Sequence, residues 1–252
     1  MKPIPISFTI DNLGDAADLQ RGVIHSPRMA GNNPALEQGY PALLDLCGRY
    51  DIPLTCFVEG WSARQYPAFL QRLQALGHET GMHGWQHEHW AALAEPELKA
   101  LAIQATAALT AALGHPPRTF RAPGGYSSSY TRRVLAELGY DIDASHGEQQ
   151  DDDTEAPGAA PTVARIPYRW AGVDATHWLW NKLADSAVET LWQRELLAAA
   201  AGHYPFVFIW HPHVMGTSAS RLAVGERIIR FIRSDPRFAI VPLRALRAVI
   251  HP

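Results

Sequence analysis

Residues 76–89 read LGHETGMHGWQHEH, and within them His83 and His87 stand four apart, with Gly77, Gly81 and Gly84 breaking the backbone around them. If a helical turn forms over this span, side chains at i and i+4 stack on one face, and two imidazoles converge on one metal ion. Histidine is the commonest neutral metal ligand near neutral pH, and a divalent ion there polarises a carbonyl or activates water. Taken alone, such a pair is as readily two surface or core histidines. Its weight comes from company elsewhere. Asp11 ends the first apolar run, Arg121 precedes a Pro-Gly-Gly turn, and His211 ends a late apolar run.

The 252 residues are 47% apolar and 19% charged, an ordinary globular composition with enough apolar side chains for a large core. That length suits one domain, residues 1–252, better than two, since α/β barrels reach this size. A net charge of -3 gives no electrostatic case for nucleic acid or an anionic membrane surface. Cys47 and Cys56 are the only cysteines, so no disulfide framework is expected and a reducing compartment suits the chain. The opening MKPIPISFTI is too short and too Pro-broken for a secretory signal, and no apolar run approaches a membrane span. A cytoplasmic, water-soluble protein is expected, with a homo-oligomer left open.

Short apolar runs alternate with longer amphipathic segments. Residues 4–10 read as a first strand closed by Asp11, Asn12 and Gly14. Residues 41–50 and 67–76 read as helices with Pro early, the second closed by Gly77 in a left-handed conformation, and 54–58 as the strand between them. Residues 95–113 form an Ala/Leu-rich helix stopped by Gly114. A short strand at 119–121 leads into Pro123-Gly124-Gly125, followed by a helix at 131–138 stopped by Gly139. Residues 148–161 are polar and acidic and read as a surface loop, with Asp151, Asp152 and Asp153 a solvated turn. Strands at 163–166, 206–210 and 238–241 alternate with helices at 187–201 and 221–232.

That rhythm implies an α/β fold with a mainly parallel sheet covered by helices, in which reacting residues gather at the C-terminal ends of strands. Asp11, His83, Arg121 and His211 all fall at such ends. Any one of them is readily a polar group capping an element. Four of useful types, facing one mouth of a barrel, are hard to obtain from structural demands alone.

These residues carry a resemblance. The chain resembles the polysaccharide deacetylases, the NodB-homology hydrolases, matching their motifs in order over nearly its whole length. The motif T-F-D-D stands here as Thr9-Ile10-Asp11-Asn12, and H-[ST]-x-x-H as His83-Gly84-Trp85-Gln86-His87, after Gly77-His78-Glu79-Thr80-Gly81-Met82. R-x-P-x-G stands as Arg121-Ala122-Pro123-Gly124-Gly125, and L-x-H as Ile209-Trp210-His211. The continuation Pro212-His213-Val214-Met215-Gly216 is most similar to the subgroup holding peptidoglycan-deacetylase-like and allantoinase-like members.

The resemblance implies a distorted (β/α)7 barrel and attack of water on an amide carbonyl. It makes Asp11 the general base and Arg121 the group that holds Asp11 ionised. His83 and His87 become metal ligands, the Gly124 N–H faces the developing oxyanion, and His211 protonates the leaving amine. An acidic partner for His211 is implied, with Asp174 the loosest match. Asn12 stands where metal-dependent members carry a third, acidic ligand. Its amide oxygen can still coordinate a divalent ion, with zinc the expected one, but without charge and so more weakly. The competing implication is that Asn12 reports loss of the metal, as in allantoinase-like relatives. Asp15 and Asp18 read as solvated loop carboxylates ahead of substitute ligands.

His78 and His89 read as packing or hydrogen-bonding histidines ahead of ligands, whereas His213, two past His211, is a candidate pocket residue. Trp85, Trp90, Trp170, Trp178, Trp180 and Trp210 are numerous enough to line a sugar or planar-ring site, although core packing explains most of them equally well. Tyr126, tied to the Gly-Gly turn, and Trp85, inside the histidine motif, are the substrate-binding candidates of aromatic type. The aperiodic stretch 13–39 is expected to lie over the barrel mouth. Three functions are compatible with this pattern: an N-deacetylase of an amino-sugar or similar N-acyl substrate, a ring-opening hydrolase of a small cyclic amide or ureide, and an inactive barrel that binds a saccharide or a protein. Asp11, Arg121 and His211 together argue against the third, because a binding module needs no base, orienter and acid.

Overall fold

The computed structural model describes residues 2–29, 31–128, 130–146 and 163–250, so the surface loop expected at 148–161, with Asp151, Asp152 and Asp153, lies outside the described residues. The strands are β1 (Ile4–Asp11), β2 (Leu54–Val58), β3 (Glu79–Met82), β4 (Thr119–Phe120), β5 (Ile142–Asp143), β6 (Ala164–Arg165), β7 (Phe206–Trp210) and β8 (Phe238–Ile240). The helices are α1 (Ala16–Gln20), α2 (Tyr40–Gly48), α3 (Gly60–Gln65), α4 (Pro67–Ala75), α5 (Glu95–Leu113), α6 (Thr131–Glu137), α7 (Asp185–Gly202), α8 (Ala219–Ser234) and α9 (Arg247–Ile250). Every strand and helix expected from the sequence is present, its ends within two residues of the expected ones. Helix and strand ends fray over that distance. The chain divides into two compact units.

The first unit comprises the chain up to Asp11, Arg28–Thr55 and Tyr168–Leu246. Here β1 pairs in parallel with β7, from Ile6↔Phe206 to Ile10↔Trp210, and with β8, from Ile4↔Phe238 to Ile6↔Ile240. All of β7 is buried, and all of β1 except Pro5. A parallel strand covered on both faces needs apolar side chains at every position and not at alternate ones, which is why these runs carry no period-2 pattern. Phe8 stacks on Phe208 at 4.9 Å, Trp210 meets Phe8 edge-on at 4.9 Å, and Trp192 of α7 meets Phe208 at 5.4 Å. The buried face of α7 (Val188, Trp192, Leu196, Ala199) and that of α8 (Val224, Ile228, Ile229, Ile232) recur at helical spacing.

The second unit comprises Asn12–Pro27, Cys56–Pro167 and the chain from Arg247. A parallel row runs through β3, β4, β5 and β6, registered at Met82↔Phe120, Phe120↔Asp143 and Asp143↔Arg165. Helix α5 buries Leu98, Ala102, Ala105, Leu109 and Ala112 along one stripe and ends at Gly114, φ 80°. Its first turn carries Glu95 and Glu97, whose charge suits the positive end of the helix dipole. Among the described residues no helix is long and apolar enough to cross a membrane.

Four features differ from the sequence expectation. The span 83–87 forms no helical turn but a bent loop after β3, with Gly84 and His87 at φ 73° and 76°. Residues 13–39 hold α1 and a π-helical turn, Ala35–Gly39, too short to show periodicity. Two further π-helical turns, Thr176–Trp180 and Pro212–Gly216, likewise escape a 3.6-residue pattern. Asp15, expected to be solvated, is fully buried.

Candidate active site

In the first unit, register brings three candidate residues to neighbouring strand ends. Ile10 is paired with Trp210, so Asp11 and His211 each follow at the ends of adjacent parallel strands, whose spacing is about 4.8 Å. A single bridge, Val173↔Ile209, sets Asp174 on the other side of β7. The Asp174 carboxylate is fully buried and accepts two bonds from His211: the backbone N–H at 2.7 Å through Oδ2 and Nδ1 at 2.6 Å through Oδ1. A carboxylate facing Nδ1 requires a proton there, which leaves Nε2 as the position that exchanges a proton with another group. Oδ1 also accepts the Ala175 N–H at 2.6 Å, so the carboxylate is fixed by three donors. His213 is exposed, its ring 5.5 Å from that of His211.

The second unit holds the rest. The Asn12 N–H donates to Phe57 at 3.1 Å, the His83 N–H to Val58 at 2.9 Å and the Arg121 N–H to Met82 at 3.0 Å. These bonds continue the strand pairing, with the end of β2 between Asn12 and His83, and with His83 and Arg121 at the ends of neighbouring strands β3 and β4. His83 Nδ1 lies 2.9 Å from the Arg121 carbonyl oxygen. Only an N–H can face that oxygen, so in the neutral ring the lone pair is on Nε2, the form a metal ligand needs. The His83 and His87 rings stand 5.1 Å apart although no helix links them. Asn12 adopts φ 72°, and its Oδ1 is buried with no hydrogen-bond partner among the described residues. Such an oxygen costs free energy unless something coordinates it.

Arg121 is 1% exposed; its Nε donates to the Ala144 carbonyl at 2.9 Å and its guanidinium lies over the Phe57 ring at 4.2 Å. Ser145 Oγ accepts the Ala122 N–H at 2.9 Å and donates to Asp143, which fixes the turn after Arg121. Burial pushes the Asp143 carboxyl above the ordinary carboxylate range, an effect opposed by Ser145 and by Arg165. Gly124 is exposed at φ 68° with open space where a Cβ would stand, so backbone is accessible there. Tyr126 is 39% exposed, its ring 5.7 Å from that of His146. Trp85 is half-buried beneath the Arg64 guanidinium, 5.4 Å from its ring centre.

Of the other tryptophans, Trp90, Trp178 and Trp210 are core residues, Trp170 is half-buried, and Trp180 is exposed. His78 is half-buried and burial lowers its pKa, which fits a packing residue. Among the described residues no three His, Cys, Asp or Glu side chains gather as a metal site; the third donor of the expected set is the Asn12 amide. Three buried carboxylates were not singled out from sequence: Asp143, Glu59 and Glu88. Glu59, at the end of β2, accepts the Leu13 N–H at 3.0 Å, and Glu88 accepts N–H groups of the histidine loop. The strand-end rule reaches Glu59; nothing in the local pattern marks Glu88.

Comparison with known proteins adds four findings. Residues 30–142 match the family model described as polysaccharide deacetylase. The chain is 27% identical over 138 residues to a peptidoglycan deacetylase of Helicobacter pylori, a match covering 55% of this chain and 44% of that protein. The chain thus spans less than half of that relative. Among solved structures, a candidate polysaccharide deacetylase of Mycobacterium smegmatis superposes with TM-score 0.83 at 22% identity, covering 99% of this chain and 90% of that one. The Puue allantoinase superposes with TM-score 0.77 at 21% identity, covering 98% and 91%. The fold is the α/β, distorted (β/α)7 type that the motifs imply.

Proposed function

We propose that this relative of the polysaccharide deacetylases is an amide hydrolase that removes the N-acyl group, acetate first, from an amino sugar. The observation that carries the reading is the Asp174–His211 pair, a buried carboxylate fixing one imidazole nitrogen and leaving the other to trade a proton. Asp11, at the adjacent strand end, takes the proton of the attacking water, and His211 delivers one to the departing nitrogen. The acyl carbon gains the water oxygen as its bond to nitrogen breaks, giving a carboxylate and a free amine. The exposed backbone at Gly124 is the candidate donor to the developing oxyanion, and Tyr126, Trp85 and His213 are candidate substrate contacts.

The donor set suits a divalent ion. His83 presents Nε2, His87 stands beside it, and the buried Asn12 Oδ1 supplies a neutral oxygen. When bound, zinc would polarise the acyl carbonyl and acidify water. Three neutral ligands imply modest affinity. The neutral Asn12 also favours a second reading, metal-independent opening of a small cyclic ureide.

Acetate release from N-acetylglucosamine oligomers, assayed with and without added zinc, tests the first reading. Asp11→Asn is expected to lose about 10²–10⁴-fold in kcat with unchanged melting temperature. Zinc-independent turnover of cyclic ureides with no acetate release would replace the first reading by the second. No turnover of either class, with saccharide binding retained, would leave a binding module.

A further inference from the structure

Glu88 is a carboxylate for which the proposed reaction has no use. It is 7% exposed, and its two oxygens divide between two backbone donors: Oε2 accepts the Trp85 N–H at 3.0 Å and Oε1 the Gln86 N–H at 2.6 Å. Both donors lie between His83 and His87. The same loop is tied from outside where Gly60 donates to the Gly84 carbonyl at 3.0 Å and Trp61 to the Trp85 carbonyl at 2.8 Å. The first residues of α3 thus hold the loop's carbonyl oxygens, and Glu88 holds its N–H groups.

Gly84 stands where the related motif carries Ser or Thr. Its φ is +73°, and a Cβ there would lie 2.8 Å from Trp90 Nε1, 2.9 Å from Glu88 Oε2 and 3.0 Å from Pro123 Cγ. A side chain at position 84 and the Glu88 carboxylate in this pose compete for the same space. The missing side chain and the inserted carboxylate are therefore two parts of one arrangement. His87 adopts φ 76°, a conformation that a residue with a Cβ holds only at a cost. The loop has no helical ladder to impose it. Two charge-assisted bonds on the preceding residues can.

We infer that Glu88 is a positioning residue: its carboxylate folds residues 84–87 so that the His87 imidazole is held facing that of His83, presetting the pair for a divalent ion. The inference rests on reading His83 and His87 as metal ligands. A preset pair loses less conformational freedom on binding, so removing Glu88 weakens metal binding without touching a ligand. Groups that orient ligands from behind typically contribute about 10–100-fold in affinity.

The test is a zinc titration of the metal-stripped full chain against a chromophoric chelator, for wild type, Glu88→Gln and Glu88→Ala, with melting temperatures of the metal-free proteins alongside. Gln keeps one acceptor oxygen and sets an NH₂ against the other N–H; Ala removes both acceptors. The expected zinc affinity falls about tenfold for Glu88→Gln and about 100-fold for Glu88→Ala. If Glu88→Ala fails to fold, the near-isosteric Glu88→Gln carries the comparison. Folded Glu88→Gln that binds zinc as tightly as wild type, whatever its melting temperature, makes Glu88 merely structural and overturns the inference. Wild-type protein that takes up no zinc overturns the metal reading itself, and this role with it.

Discussion

At His211 one carboxylate settles which nitrogen carries the proton. Replacing Asp174 by Asn turns one of its two acceptor oxygens into a donor, so either the His211 N–H or its Nδ1–H meets another N–H. Asp174→Asn is therefore expected to lower kcat by about 10²–10⁴-fold with KM little changed, measured on the same acetate-release assay. A variant with wild-type kcat and a lowered melting temperature would make Asp174 a structural residue. The sequence offered Asp174 only through its loosest motif match, because the Val173↔Ile209 bridge joins segments far apart in the chain. Asp15 shows the opposite error. Its loop context reads as solvated, and only packing reveals that it is fully buried.

Among the elements, the segment after His211 depends on close backbone approach. The π-helical turn Pro212–Gly216 lies against the turn Ala35–Gly39, and a Cβ on Gly216 would stand 2.2 Å from the Gly39 carbonyl oxygen. The obstructing atoms are backbone and cannot rotate away. Gly216→Ala is expected to cost about 1–3 kcal/mol in urea unfolding. Gly48→Ala, with nothing within 4 Å of the added carbon, is the control and should be near neutral or slightly stabilising. Equal stability of the two variants would refute the close-approach account. The histidine loop makes a related point about elements. The four-residue spacing of His83 and His87 suggests a helical turn, whereas the rings meet at 5.1 Å through a bent loop tied by Glu88 and α3. The spacing was legible, and the conformation that realises it was not.

For the molecule as a whole, Asp143 sets a pH dependence of stability. Burial raises its folded pKa above the unfolded value of about 3.8. The folded state then binds the proton more tightly, so its contribution is fully present below the unfolded pKa and is lost as pH rises through the folded pKa. Asp143→Asn removes the charge, while its amide oxygen can still accept both Ser145 bonds. The melting temperature of the variant relative to wild type is expected to climb as pH rises from about 4 and then level off. A difference independent of pH would mean that Arg165 compensates the buried charge fully.

By itself the sequence determined the order of strands and helices, because buried parallel strands and long amphipathic helices write their environment into continuous apolar runs and a 3.6-residue stripe. The helix at Glu95–Leu113 and the strands at Leu54–Val58 and Phe206–Trp210 have the expected bounds for that reason. It also marked Asp11, His83, Arg121 and His211 as strand-end residues. Tertiary structure alone decided what each of them touches. Register between distant strands brings Asp11 beside His211, a backbone carbonyl selects the His83 tautomer, and a left-handed loop turns His87 toward His83. Those outcomes depend on contacts between residues far apart in the chain and on a carboxylate, Glu88, whose place in the sequence carries no periodic signal. Local sequence encodes local free energy, whereas the geometry of a site is set where segments with no local relation are packed together.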